Sequence, residues 1–477
     1  MKLKNNSTNI KKSSIDIFVN TIRSLKYLVV SLFFMGFTAC TDFVEVDPPK
    51  NNLISETVFD DAATVESTLA NLYYKMREQG MVSGNFGFSV LMGIYSDELD
   101  YYGFDTNHLE LYEHAVSTNN ANVLSWWKTA YNIIYATNDI IKGLDNTNAI
   151  SLEDQKQFKG QALFIRAYIH SLLTNVYGDI PYITTTDYVE NNSVSREPAN
   201  EVYEQIIADL KDAISLLDNT DTSGEHVIPN RWVAKALLAR MYLYTENWEL
   251  AEVEASEVIS AFSLEPDVNA VFLKASKETL WQFKPDGINN RNTYEANQLI
   301  IRFIPGQSYA LNSQLLEAFE PDDLRRLNWV GSTTSSDGLT TLHYAYKYKA
   351  IFSENASLEY SIIFRLAEQY LIRAEARTNL GNINGAQEDL NIIRNRAGLD
   401  NTTASTPSEL LIAILKERYV ELFTEHGHRW FDLKRMGFAD DILSPIKEHW
   451  QTTDILLPIP ETELQMNSNL KPQNSGY

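Results

Sequence analysis

Three kinds of side chain in this 477-residue chain invite a chemical reading: paired carboxylates, a histidine pair and one cysteine. Asp97-Glu98, Asp322-Asp323 and Asp440-Asp441 are adjacent acids, and glycoside hydrolysis requires only two carboxylates about 5 to 10 Å apart. Adjacent acids are also the common product of solvated surface and helix N-caps, so adjacency alone selects no catalytic pair. His426-Gly427-His428 places two imidazoles where a turn could share a metal ion. Arg429 follows immediately and opposes a cation, and no third ligand stands nearby, so no metal is expected. No Gly-rich phosphate loop, HExxH, GxSxG or cysteine-based metal spacing occurs, which removes the motif-defined enzyme classes; neither a cofactor nor a catalytic residue is expected.

The cysteine, Cys40, has no internal partner for a disulfide and stands at a telling place. Lys11, Lys12, Arg23 and Lys26 precede an apolar run from Tyr27 to Phe37, and Thr38-Ala39-Cys40 follows. Eleven apolar residues fall short of the roughly 20 that a bilayer-spanning helix needs, whereas basic flank, short apolar run and small residues suit a signal peptide over residues 1–39. Cys40 then reads as a lipid-anchored residue, and residues 40–60, with Pro48-Pro49, as a tether.

The chain carries 40 Lys+Arg against 63 Asp+Glu, a net charge of −23. Six of those basic residues and one of the acidic ones precede Cys40, so the remainder has 34 against 62, or −28. Such a surface repels a phosphate backbone, and nucleic acid is excluded as a partner.

The elements that must position any site are mostly helices. Apolar residues recur at three- and four-residue steps over Ala62–Gln79, Leu124–Leu144, Gln155–Tyr177 and Glu201–Leu217. Trp232–Tyr244 and Trp248–Ile259 form a helical hairpin in which Ala251 and Ala255 permit close contact. A second pair has the same pattern: Leu366, Tyr370, Ala374 and Arg377, a Gly381-Asn382 turn, then Ala386, Leu390, Ile393 and Ala397. Both resemble tetratricopeptide units, but Ala251 and Ala386 are 135 residues apart, far beyond a tandem period of about 34, so the array is interrupted. The predicted architecture is mostly α: a tetratricopeptide-like frame over 61–261, a mixed, loop-rich insertion over 262–360 and a last repeat with the C-terminal region over 361–477. The insertion holds Pro266, Pro285, Pro305 and Pro321, with β-prone runs at Thr279–Phe283 and Leu299–Ile304.

Several blocks together resemble the SusD/RagB family. They are Cys40 with Asp42-Phe43-Val44-Glu45-Val46-Asp47-Pro48-Pro49; Gly160–Tyr168 running to Tyr177-Gly178-Asp179-Ile180-Pro181; and Arg365–Ala376 with Asn391–Gly398. Glu417-Arg418, Glu421-Leu422, Gly427–Arg435, Leu457–Glu461 and Gln473–Tyr477 complete the set. Asn467-Ser468 departs from the family's usual Asn-Pro near the end. Physically, Arg365, Arg394, Arg396 and Arg429 beside Glu375, Glu421 and Asp432 are suited to ion-pair networks between helices.

The resemblance implies a non-catalytic, exterior-facing outer-membrane lipoprotein that captures oligosaccharide for a SusC-like TonB-dependent transporter. Its RagB branch implies the alternative of a peptide-capturing lid, and an extracellular glycoside hydrolase is a third reading. Shallowly grouped aromatics favour sugar; a deep acidic cavity with free backbone edges favours peptide. The resemblance places ligand where the loop around Asp97–Phe104 meets the insertion, where aromatics fall outside any helical stripe. Tyr101, Tyr102, Tyr294 and Trp329 are the stacking candidates, and Asp97, Asn297 and Arg302 the hydrogen-bonding ones, while Trp281 is assigned to the core.

Overall fold

The computed structural model describes residues 58–287 and 291–477; the apolar run before Cys40, Cys40 itself and the segment up to Pro49 lie outside the described residues. Among the described residues are 18 α-helices and six short strands. The first half is helical: α1 (Ala62–Glu78), α2 (Phe88–Tyr95), β1 (Leu99–Tyr101), α3 (Thr106–Glu113), α4 (Ala121–Asn146), α5 (Leu152–Tyr177), α6 (Tyr188–Asn191), α7 (Ala199–Leu216), α8 (Arg231–Tyr244) and α9 (Trp248–Ala261). Side-chain oxygens of Asp61, Asp105, Asn120, Ser151 and Asn230 accept from free N–H groups at the starts of α1, α3, α4, α5 and α8, which explains where those helices begin.

From Gly160 to Tyr177 every side chain of α5 is buried, as a helix at the centre of a bundle must be. Its buried arginine and histidine are matched. Arg166 donates twice to Asp209, at 2.7 Å each, and once to Asn138, joining α5 to α7 and α4. Burial drives the His170 pKa down to about 3, and its neutral ring stacks on Tyr182.

The middle of the chain is mixed: β2 (Thr279–Phe283), α10 (Tyr294–Leu299), β3 (Tyr309–Leu311), α11 (Ser313–Ala318), α12 (Leu324–Asn328), β4 (Val330–Thr334) and β5 (Thr341–Ala345). The chain then runs through β6 (Ser361–Arg365), α13 (Leu366–Asn379), α14 (Ile383–Arg396), α15 (Pro407–Leu422), α16 (His428–Arg435), α17 (Ala439–Leu443) and α18 (Glu461–Met466). Three antiparallel pairs form, β1–β3, β2–β6 and β4–β5. The β-prone run Thr279–Phe283 is β2, fully buried, with Trp281 in the core as expected. Leu299–Ile304 is not a strand. Thr293 caps a helix that runs through Leu299, and Pro305, which has no N–H to donate to a ladder, follows before β3 begins at Tyr309.

The two repeat hairpins, α8–α9 and α13–α14, stack on each other through α9 and α13 despite their separation in sequence. Arg377 reaches from α13 to Glu252 of α9 at 2.8 Å, and Arg240 of α8 makes two 2.6 Å bonds to Glu368 of α13. The interruption is therefore closed in space, with the insertion held between the strands β2 and β6 at the entrance to α13.

Candidate ligand-binding junction

β1 pairs with β3 in the register Leu99↔Leu311, Asp100↔Ala310, Tyr101↔Tyr309, and the Tyr102 N–H continues the ladder to the Ser308 carbonyl at 2.8 Å. The loop after Asp97 thus meets the insertion at the predicted place. Beneath it, the turn from Phe423 to Gly427 acts as a strut. The Thr424 N–H donates to Glu98 at 3.1 Å, the His426 ring lies within hydrogen-bonding distance of the Val82 and Ile362 carbonyls, and Arg429 grips Asp97 with two 2.7 Å bonds. Thr424, His426 and Gly427 all have positive φ, so the turn is held in its shape by what it grips.

Above the strut the loop 102–105 is fixed at both ends. The Tyr101 hydroxyl accepts from the Asp105 N–H at 3.0 Å, and the Asp105 carboxylate caps α3 through the Asn107 and His108 N–H groups. Tyr101 folds so closely over Gly103 that a Cβ there would lie 2.3 Å from its hydroxyl oxygen, so a larger residue would have to displace the Tyr101 ring. Phe104 precedes the α3 cap, where an apolar residue ordinarily packs down as a staple. Here it is 96% exposed.

Across the junction Phe303 is 63% exposed, its ring lying over Gly306. Tyr102 and Phe86 are also largely exposed. Gln298 of α10 bonds Asn85 at 2.6 Å, and Phe86 sets its edge against His108, which in turn contacts Tyr101; the loops bearing these rings are therefore joined. Arg302 is exposed and donates to Asn297 at 2.8 Å.

Of the expected site residues, Tyr101 and Tyr102 lie on the β1–β3 edge, Tyr101 half-buried against Tyr309 and Tyr102 exposed, while Asn297 and Arg302 are bonded to each other on the insertion side. Three others do not serve as expected. Asp97 is buried in its ion pair with Arg429, with no carboxylate oxygen left for a ligand. Trp329 is fully buried, its indole N–H on the Val268 carbonyl and its ring against Phe272, so it offers no face. Tyr294 is committed to the Glu78 carboxylate and to the edge of Phe352. Phe86, Phe104 and Phe303 are exposed here without being among the expected residues, although the criterion that selects Tyr102, an aromatic outside any helical stripe, fits Phe104 and Phe303 equally.

Of the two adjacent acids at the junction, Glu98 carries an unusual proton affinity. Burial, then the Asp97 charge, pushes the Glu98 pKa up to about 8. A raised carboxylate beside another acid is a familiar acid–base arrangement, but Glu98 is sealed under β1. Among the described residues no group of His, Cys, Asp and Glu forms a metal site, and His426 is held by its two carbonyl contacts. No helix among them is long and apolar enough to cross a membrane.

Comparison with known proteins agrees with this architecture. A family model described as starch-binding associating with outer membrane matches residues 42–243, and the SusD family model matches 305–477. SusD-like protein P2 of Formosa agariphila is 28% identical, over 95% of this chain and 99% of its own. A SusD superfamily protein from Bacteroides vulgatus superposes with a TM-score of 0.77 at 21% identity, covering 87% of this chain and 99% of that one. A laminarin-binding SusD-like protein does so with a TM-score of 0.74, at 21% identity and the same coverage. The chain belongs to the SusD/RagB family.

Proposed function

We propose that this chain is a non-catalytic, lipid-anchored outer-membrane protein that captures oligosaccharide at the junction and passes it to a SusC-like TonB-dependent transporter. The observation that carries the reading is the set of outward rings, Phe86, Tyr102, Phe104 and Phe303, on loops locked by β1–β3 pairing. Exposed aromatic faces cover the C–H faces of sugar rings, and the exposed Arg302, bonded to Asn297, is a donor for hydroxyl groups. The laminarin-binding structural relative supports the ligand class. Exposed rings on open loops favour sugar over peptide. The burial of Glu98 supports binding without hydrolysis, since a sealed carboxyl cannot protonate a glycosidic oxygen.

Each ring covering ~50 to 100 Å² at roughly 25 cal/mol per Å² contributes about 1 to 2.5 kcal/mol. Calorimetry with neutral hexasaccharides of β-1,3-glucan, α-1,4-glucan, β-1,4-glucan and β-1,4-mannan is expected to detect binding of at least one, with no shortened products on prolonged incubation. Phe104→Ala and Phe303→Ala should each weaken that binding about tenfold. Unchanged affinity in both variants, or hydrolysis abolished by one carboxylate substitution, overturns the reading.

The anchor is tested separately. Cys40→Ala is expected to lose incorporation of labelled fatty acid and to leave the membrane fraction for the soluble one. A variant that stays lipidated and sedimenting shows that another residue holds the anchor.

A further inference from the structure

We propose a second saccharide site, separate from the junction, in the concavity between α4, α6 and α18. On α4, Trp127, Tyr131 and Tyr135 follow at four-residue spacing and so lie along one face. Trp127 and Tyr131 form the floor, with ring centroids 4.9 Å apart. Tyr135 and Tyr188 flank it, 47% and 72% exposed, and neither hydroxyl has a protein partner among the described residues. The cavity measures about 460 Å³, within the range that takes a small ligand.

The polar groups in its wall fit hydroxyls. Asn191 Oδ1 and Glu463 Oε1 are buried acceptors with no hydrogen-bond partner among the described residues, although the Glu463 carboxylate also interacts with Trp127; Asn191 Nδ2 is held by the Thr185 carbonyl, which fixes that amide. Two open acceptor atoms beside this tilted pair of rings call for a donor-rich ligand with an apolar face, and a saccharide ring has both properties. One cation, Lys128, and one anion, Glu463, share the wall, so the site carries no net charge to select a charged glycan. The expected ligand is a neutral sugar, one or two rings long. Core packing does not account for Tyr135 and Tyr188, which face outward, and the charged and amide groups between the rings set the patch apart from an apolar contact surface.

The test starts from the doubly substituted Phe104→Ala/Phe303→Ala chain, which blocks the junction, and the same four hexasaccharides. Saturation-transfer NMR and calorimetry are expected to show that at least one is still bound. Adding Tyr135→Ala and Tyr188→Ala should weaken this residual binding about tenfold or more, with the fold checked by circular dichroism. Tyr188→Ala alone, on a four-residue surface helix, gives the same comparison should the fourfold variant not fold. Residual binding unaffected by these changes overturns the second site. So does the absence of residual binding when the wild type binds, which leaves the junction as the binding site. A wild type that binds none of the four sugars overturns both sites. Adsorption to phosphatidylglycerol vesicles that depends on Tyr135 and Tyr188, without sugar binding, marks a membrane contact and likewise overturns the proposal.

Discussion

Arg365→Met is expected to destabilise the folded chain by about 3 to 5 kcal/mol, as loss of one partner from a buried ionic cluster does. Arg365 ends β6 and is almost wholly buried. It donates to Glu425 at 2.7 Å, to Glu278 at 3.0 Å, and to the Glu421 carboxylate and carbonyl at 2.6 and 2.8 Å. Around it, Arg396 pairs with Glu278 and Glu421, Arg325 with Asp323, Glu417 and Glu421, and Lys347 with Glu425. Together these join the insertion to α14, α15 and the strut under the junction. Methionine fills most of the volume, so the loss reports uncompensated carboxylates and not a cavity. Urea denaturation measures it directly. Adding Glu421→Gln should recover part of the loss by removing one stranded charge, because coupled neighbours do not act additively. A loss below about 1 kcal/mol would show that water reaches the cluster and that it contributes little.

The second large effect is a pH dependence. The folded-state pKa of Glu98, about 8, exceeds its ordinary value of 4.5, so between those values the native chain retains a proton that the unfolded chain has released. The stability contributed by Glu98 is therefore complete below pH 4.5 and is lost as pH rises through 8. Desolvation leads, and Asp97 adds repulsion. The Thr424 N–H, Lys347 and Arg429 oppose both without cancelling them. Glu98→Gln keeps the shape and the acceptor for Thr424 but cannot ionise. Relative to wild type it should gain nothing at pH 4.5 and about 3 kcal/mol at pH 7, following 1.36 kcal/mol per pH unit as an order of magnitude. Denaturation of both chains at pH 4.5, 6 and 7.5 provides the check, and parallel stability curves would sink the assignment.

These two effects concern the support of the junction, and the support was the more legible part of the sequence. The periodicity of Ala62–Gln79 or Gln155–Tyr177 is a local property, repeated every turn, so helices and hairpins could be read from it directly. The cluster around Arg365, Arg396 and Glu421 was legible because so many charges in a packed C-terminal region must find partners. Where the interrupted hairpins meet was not, because stacking of α9 on α13 is decided by closure of the insertion through β2 and β6.

The same division runs through the site. That the loop after Asp97 meets the insertion followed from the resemblance, but which of its side chains face outward depends on contacts distant in sequence. Asp97 looked available until Arg429, 332 positions away, enclosed it. Trp329 looked like a loop aromatic until Val268 and Phe272 buried it. Phe104 stands in a loop closed by the Tyr101–Asp105 bond and reaches solvent there. By itself the sequence determined the helical frame, the family and the acidic balance, because periodicity, motif and charge reside in the residue string. Tertiary structure alone decided which aromatic faces reach solvent, because exposure is set by the packing of neighbours that the chain brings back from far along its length.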